Sequence, residues 1–157
     1  MTENFVFSGH DTVALAQKYG TPLYVMSEDI LRANINRIKD AFESAGAVYD
    51  VNYAGKTFLN MGMCRIIESE GISLDVASGG ELYTAVKSGF NPARICFHGS
   101  NKNQAELEMA LGYKVGRIVI DSEWELERLQ LLTEELEQPV KVLFRVSPGI
   151  EAHTHEL

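Results

Sequence analysis

The stretch Val48-Tyr49-Asp50-Val51-Asn52-Tyr53-Ala54-Gly55-Lys56 decides how the rest of the chain is interpreted. Its β-branched and aromatic residues up to Tyr53 predict a short buried strand, and Lys56 follows on a turn that Gly55 loosens. A lysine in this position points out from the edge of a sheet. If the sheet belongs to a parallel α/β barrel, a partly shielded lysine at that edge can act as an amine nucleophile. The alternative is an ordinary solvated loop lysine.

The chain after this stretch alternates between strand and helix patterns. Strand ends recur roughly every 20 to 26 residues, which is typical of repeated βα units. About five parallel strands are therefore expected, in a sheet that is either open or curled. The later predicted strands cover 72–76, 95–97, 117–120 and 140–146, and the predicted helices cover 61–70, 80–88, 103–111 and 122–136.

The segment before the stretch has a less regular pattern. It predicts a strand over 5–7, a helix over 12–19 that Gly20 ends, and a strand over 21–25 entered through a proline. A longer helix then begins after Ser27 and closes at Gly46.

Composition narrows the function classes. The chain has 157 residues, a net charge of -8 and 45% hydrophobic residues, so a globular domain is expected and nucleic acid or an anionic membrane is not an expected partner. No leader pattern or membrane span is seen, which fits the cytoplasm. Cys64 and Cys96 lack metal-ligand spacing and are expected to be buried free thiols, so no metal is assigned.

Polar or titratable residues follow the predicted strand that ends at Tyr53 and each of the four later predicted strands. Because parallel strands end at the same edge of a sheet, this succession favours a shared site at the mouth of a barrel. No Gly-x-Gly-x-x-Gly pattern follows the first strand, which disfavours dinucleotide binding. The polar segments are Lys56, Asp75 with Ser78-Gly79-Gly80-Glu81, His98-Gly99-Ser100-Asn101-Lys102, Asp121-Ser122, and Arg145 with Ser147-Pro148-Gly149.

These segments together resemble the diaminopimelate decarboxylase family. The resemblance covers about Tyr19 to Leu157 in the same order, although Thr57-Phe58-Leu59 departs from the family's usual residues after the lysine. The resembling motifs are Tyr53-Ala54-Gly55-Lys56, Leu74-Asp75-Val76-Ala77-Ser78-Gly79-Gly80-Glu81-Leu82, Phe97-His98-Gly99-Ser100-Asn101-Lys102, and Arg145-Val146-Ser147-Pro148-Gly149 with His153-Thr154-His155-Glu156.

The resemblance implies a fold and a cofactor. The fold is the amino-terminal part of a pyridoxal 5'-phosphate (PLP)-binding (β/α)8 barrel over residues 27–157, and residues 1–26 would associate with a second β domain outside this chain. Lys56 would hold PLP as a Schiff base. Asp75 and Arg145 would lie near the lysine and cofactor. His98 would line the same mouth, but its spacing does not fit the family's His-x-Gly-Ser motif, so ring stacking is not assigned to it.

Plainer interpretations of these residues stay open. Asp75 could be a surface carboxylate or a helix cap, and His98 could only satisfy loop hydrogen bonds. Ser78 and Glu81 fit a capping box without any catalytic role. The charged run around Trp124, which includes Glu125, is expected to form the solvated face of a helix.

For the full-length protein, the resemblance implies decarboxylation of meso-2,6-diaminopimelate to L-lysine by a cytoplasmic homodimer. We expect this chain alone to be inactive, because most of the cofactor site would lie outside it. The alternatives are another PLP enzyme of this barrel class, such as an ornithine, arginine or carboxynorspermidine decarboxylase or a racemase, and a non-catalytic homologue.

Overall fold

The computed structural model describes residues 4–137 and 139–149, so the His153-Thr154-His155-Glu156 motif lies outside the described residues. The chain divides into two compact units, one up to Val48 and one from Tyr49 onward. The predicted division separates residues 1–26, which would associate with a second β domain, from the barrel residues 27–157. It stays a prediction.

The first unit contains a small hairpin and two helices. Strands β1 (Val6–Phe7) and β2 (His10–Asp11) pair antiparallel, and helices α1 (Thr12–Tyr19) and α2 (Glu28–Ser44) follow. Both helices have a capped amino end, and the Ser27 cap of α2 is as the sequence predicts. Asp11 accepts a hydrogen bond from the backbone N–H of Val13 at 2.8 Å, and the Ser27 hydroxyl accepts one from Ile30.

The predicted strand over 21–25 is wrong. This segment joins α1 to α2 and pairs with no strand among the residues that the structure describes. Its apolar residues are mostly exposed, Tyr24 almost completely. Strand-forming composition is not sufficient here, because a strand also needs a neighbour for its backbone hydrogen bonds.

The second unit is built on a parallel sheet of five strands in the order β3-β4-β5-β6-β7. Its strands are β3 (Asn52–Ala54), β4 (Ser73–Val76), β5 (Ile95–Phe97), β6 (Arg117–Ile120) and β7 (Val142–Phe144). The helices between them are α3 (Met61–Ser69), α4 (Gly79–Lys87), α5 (Gln104–Tyr113) and α6 (Glu123–Leu136), and short 3-10 turns cover Gly55–Thr57 and Pro92–Arg94.

The predicted fold class, five parallel strands with flanking helices as in part of a (β/α)8 barrel, is confirmed. β3 and β7 are shorter than predicted. For β3 the reason is its neighbour: β4 begins at Ser73, which pairs with Asn52, so residues 48–51 have no β4 residue opposite them.

The two faces of this sheet differ in chemistry. Leu74, Val76, Phe97 and Ile118 are completely buried, and the helices pack against this face. Successive strand residues point to opposite faces, so the other face carries Asp75 and its register partner Cys96.

Among the described residues, no helix combines the length and apolar character needed to cross a bilayer.

Candidate active site

Lys56 lies at the carboxyl end of β3. Ala54, the last residue of this strand, pairs with Asp75 of β4, and Lys56 follows within the 3-10 turn. The hydroxyl of Tyr53 donates a hydrogen bond to the carbonyl oxygen of Phe58 at 2.9 Å, which ties the two ends of the turn together. The lysine therefore lies where the sequence places it, at the side of the sheet where all five strands end, which we call the carboxyl edge.

The Lys56 side chain is exposed rather than partly shielded as expected. Its Nζ atom makes no hydrogen bond or ion pair with any residue that the structure describes. An amine in this state is accessible to an electrophile that approaches the carboxyl edge.

Gly55 does not loosen the turn, contrary to the sequence interpretation. The residue is buried, and a Cβ atom added to it would lie 2.8 Å from the backbone carbonyl oxygen of Asp75. A glycine is needed here because β3 and β4 approach each other too closely for a side chain. The close contact fixes the backbone directly before Lys56 against β4.

Asp75 lies on β4, and His98 directly follows β5, the neighbouring strand. The Nδ1 atom of His98 is 3.6 Å from an Asp75 carboxylate oxygen, and both side chains are partly buried. The backbone N–H of His98 donates to the carbonyl of Val76 at 2.7 Å, so the β4–β5 pairing extends as far as His98. The structure thus brings together two of the four predicted site residues.

Cys96 lies beside Asp75 in the register of the sheet. Burial, and secondarily the negative charge of Asp75, raises the pKa of the Cys96 thiol to about 11. The thiol is therefore protonated at neutral pH. Both cysteines are free and buried, as predicted.

Arg145 lies at the carboxyl end of β7, but its partner is not Lys56. Its guanidinium contacts the Asp121 carboxylate at 3.0 Å, and its backbone N–H donates to Ile120 at 3.0 Å. β3 and β7 are the two edge strands, separated along the sheet by four spacings of about 4.8 Å each. The structure does not bring Arg145 into contact with Lys56.

The interpretation of Glu125 as part of a solvated helix face is wrong. Glu125 and Lys102 are only 1% exposed and form an ion pair at 3.1 Å. The Glu125 carboxylate also accepts hydrogen bonds from the backbone N–H groups of Lys102 at 3.1 Å and Asp121 at 2.9 Å. The missed signal is Ser122-x-x-Glu125, the spacing of a capping box, which directs a glutamate towards the start of its helix.

A glutamate occupies the third position of α4, α5 and α6, and those of α5 and α6 join neighbouring βα units. Glu106 of α5 completes a capping box with Asn103 and also accepts from the N–H of Gly79, at 2.6 Å. The Ser78 hydroxyl accepts from the N–H of Glu81, as predicted, whereas the Glu81 carboxylate accepts from Ala77. These carboxylates satisfy N–H groups at helix starts, and Glu106 fixes α5 to α4.

Another polar cluster lies at the amino end of the sheet. Asp50 accepts a hydrogen bond from the Ser73 hydroxyl at 2.6 Å and forms an ion pair with Arg117. Burial pushes the pKa of Asp50 upward, but the hydrogen bonds and charge of these two partners outweigh it and hold the pKa below its ordinary value. This cluster joins β4 and β6 to the segment before β3, away from Lys56.

Comparison with known proteins identifies the family. Residues 29–157 match the family model described as "Pyridoxal-dependent decarboxylase, pyridoxal binding domain". The chain belongs to this family. The resemblance inferred from the motifs at the carboxyl edge is confirmed.

Two similar curated relatives are both diaminopimelate decarboxylases. The chain is 49% identical over 148 residues to a diaminopimelate decarboxylase of Bacillus subtilis, covering 94% of this chain and 34% of the relative. It is 44% identical over 149 residues to that of Mycobacterium tuberculosis, covering 95% of this chain and 33% of the relative. The chain spans about a third of the length of the curated relatives it matches.

Solved structures give the same result. A crystal structure of diaminopimelate decarboxylase from M. jannaschii matches with a TM-score of 0.86 and 35% identity, covering 99% of this chain and 37% of that chain. The Helicobacter pylori enzyme complexed with L-lysine matches with a TM-score of 0.82 and 27% identity, covering 92% and 36%. The strand-and-helix order of the second unit is thus that of pyridoxal-dependent decarboxylases.

The residues at the carboxyl edge fit a pyridoxal group in their chemistry. The group carries an aldehyde, which requires a primary amine, and the exposed Nζ of Lys56 supplies one. Asp75, which pairs with Ala54 on the neighbouring strand, supplies a carboxylate, and His98 and Arg145 add an imidazole and a guanidinium along the same edge.

Proposed function

We propose that the protein containing this chain is a PLP-dependent decarboxylase that converts meso-2,6-diaminopimelate to L-lysine and carbon dioxide. The observation that carries the proposal is the position of Lys56, at the carboxyl end of β3 and next to the strand that carries Asp75. The diaminopimelate decarboxylases at 44–49% identity support the choice of substrate.

Lys56 is the catalytic residue in this proposal. Its primary amine would hold the cofactor through the aldehyde group. The bound cofactor supplies an electron-withdrawing ring that accepts the electrons left by the departing carboxylate. The backbone contact at Gly55 and the Tyr53 hydrogen bond hold the turn from which the amine extends.

Asp75, His98 and Arg145 are proposed cofactor-binding residues. Asp75 places a negative charge on the strand next to the lysine, and His98 contacts that carboxylate from β5. Arg145, fixed by Asp121, offers a guanidinium at the opposite end of the row of strands. An anionic group such as a substrate carboxylate or a phosphate is the natural partner for a guanidinium there.

The wider context is also part of the proposal. We propose that the active form is a cytoplasmic homodimer of the longer protein and that residues 1–157 alone do not decarboxylate. We propose that residues 1–157 are inactive alone because about two thirds of the length of the curated relative from Bacillus subtilis has no counterpart in this chain.

The direct experiment is a substrate comparison with purified full-length protein and PLP. Carbon dioxide release is measured with meso-diaminopimelate, ornithine, arginine and carboxynorspermidine, and L-lysine is quantified as product. We expect release from meso-diaminopimelate and its loss in Lys56→Ala. Lys114→Ala is the control, because Lys114 ends α5 on the amino side of the sheet.

Each alternative predicts its own result in that assay. Preferred release from ornithine, arginine or carboxynorspermidine would identify another decarboxylase of this barrel class. Interconversion of amino-acid enantiomers without carbon dioxide would identify a racemase. Full PLP binding with no turnover of any of these compounds would identify a non-catalytic homologue.

A further inference from the structure

The ion pair between Lys102 and Glu125 is the most deeply buried charged feature among the residues that the structure describes. Both side chains are at most 2% exposed, with Nζ and a carboxylate oxygen 3.1 Å apart. Lys102 comes from the loop after β5, and Glu125 comes from the first turn of α6, after β6. The pair therefore connects two neighbouring loops of the carboxyl edge.

One arm of this pair leads to Asp75. The Nζ atom of Lys102 donates a hydrogen bond to the carbonyl oxygen of Gly99 at 2.7 Å. Gly99 directly follows His98, whose ring faces the Asp75 carboxylate. Gly99 also has a left-handed φ of +98°, and an added Cβ would lie 2.5 Å from the carbonyl oxygen of Ala77, so this loop is pressed against the end of β4.

The other arm leads to Arg145. Glu125 accepts a hydrogen bond from the backbone N–H of Asp121 at 2.9 Å, and the Asp121 carboxylate holds the Arg145 guanidinium at 3.0 Å. A single buried carboxylate therefore fixes the backbone at the end of β6. Through Lys102 it also fixes the loop that carries His98.

We propose that Lys102 and Glu125 are positioning residues of the cofactor site, which set the spacing between the Asp75–His98 group and the Asp121–Arg145 group. The inference rests on the proposed function, because it takes these two groups as the walls of that site. Both side chains are buried, and in this proposal they act through the backbone of Gly99 and Asp121.

Stability alone is a weak explanation for this pair. Burying two charges carries a large desolvation cost, and an apolar pair of similar volume is often as stable. An apolar pair, however, would leave the N–H groups of Lys102 and Asp121 without their acceptor and Gly99 without its donor. The ion pair thus supplies specific hydrogen bonds to two loops, which is what accurate positioning requires.

The test uses full-length protein with Lys102→Met combined with Glu125→Gln, a change that removes both charges together. Glu125→Gln alone is the second variant, because it keeps the side-chain shape and one acceptor oxygen. The matched control is Arg94→Met combined with Glu68→Gln. Arg94 and Glu68 also form an ion pair with hydrogen bonds to backbone groups, but they lie at the amino side of β5.

Three quantities are measured for each variant: the urea midpoint, the dissociation constant for PLP, and the visible circular dichroism of bound PLP. We expect the Lys102 and Glu125 double variant to raise the dissociation constant at least tenfold and to change the dichroism. Glu125→Gln alone should raise the constant about threefold. The Arg94 and Glu68 control should lower the urea midpoint but leave both cofactor readouts within twofold of the wild type.

The inference is overturned if either Glu125 variant folds and binds PLP with wild-type affinity and dichroism. It is equally overturned if the control weakens binding as much, because the effect would then follow stability alone. Failure of the proposed function looks different: the wild-type protein itself would not bind PLP at Lys56.

Discussion

Replacing Gly55 with alanine tests the close contact that fixes the turn of Lys56. The new Cβ would lie 2.8 Å from the Asp75 carbonyl oxygen, so β3 and β4 would have to separate by about 0.6 Å to reach an ordinary contact of 3.4 Å. Overpacking of this kind typically costs about 1–3 kcal/mol. We therefore expect the free energy of unfolding to fall by that amount, together with weaker PLP binding because Lys56 moves with the turn.

The control is the same substitution at Gly112. This residue lies in α5, and an added Cβ would meet nothing within 4 Å. Alanine lowers the entropy lost on folding a helix, so Gly112→Ala should raise stability by up to about 1 kcal/mol. Urea unfolding of the two variants and the wild type measures both effects. The reasoning is refuted if Gly55→Ala is as stable as the wild type, or if both variants shift in the same direction.

Three further predictions concern other parts of the second unit. The pKa of Asp50 is lower in the folded protein than its ordinary value of 3.8, so the ionised carboxylate stabilises the fold above pH 3.8. This stabilisation is lost as the pH falls through the folded-state pKa. Asp50→Asn should therefore flatten the fall of the urea midpoint between pH 5 and about pH 3. Cys96, with its raised pKa and buried thiol, should resist iodoacetamide at pH 8 in the native state and react in urea; rapid native labelling would contradict the burial. Asn103→Ala should cost about 1 kcal/mol in urea unfolding, because it removes the cap of α5; an unchanged midpoint would contradict the capping box.

The sequence predicts the second unit well because its signals are local and repeated. The Ser78 cap and the alternating strand and helix patterns place most element boundaries of this unit within one or two residues of those observed. The parallel sheet follows from the βα repeat, and the position of Lys56 at the edge where the strands end follows with it.

The remaining features depend on contacts between residues far apart in sequence. Glu125 lies in a run of charged residues that looks solvated, and only the packing of α6 against the loop of Lys102 shows that it is buried. Likewise, Gly55 has the same local sequence whether its turn is loose or tight, and the position of the Asp75 carbonyl decides. Segment 21–25 has a strand-forming composition but finds no neighbouring strand within residues 4–137 and 139–149.

The most direct test of the central claim is to identify the lysine that binds PLP. Full-length protein is incubated with an equimolar amount of PLP, reduced with borohydride, digested and mapped by mass spectrometry. We expect one pyridoxyl group per chain, on Lys56, and none at stoichiometric PLP in Lys56→Ala. A pyridoxyl group mainly on another lysine, or unchanged labelling of Lys56→Ala, would contradict the account.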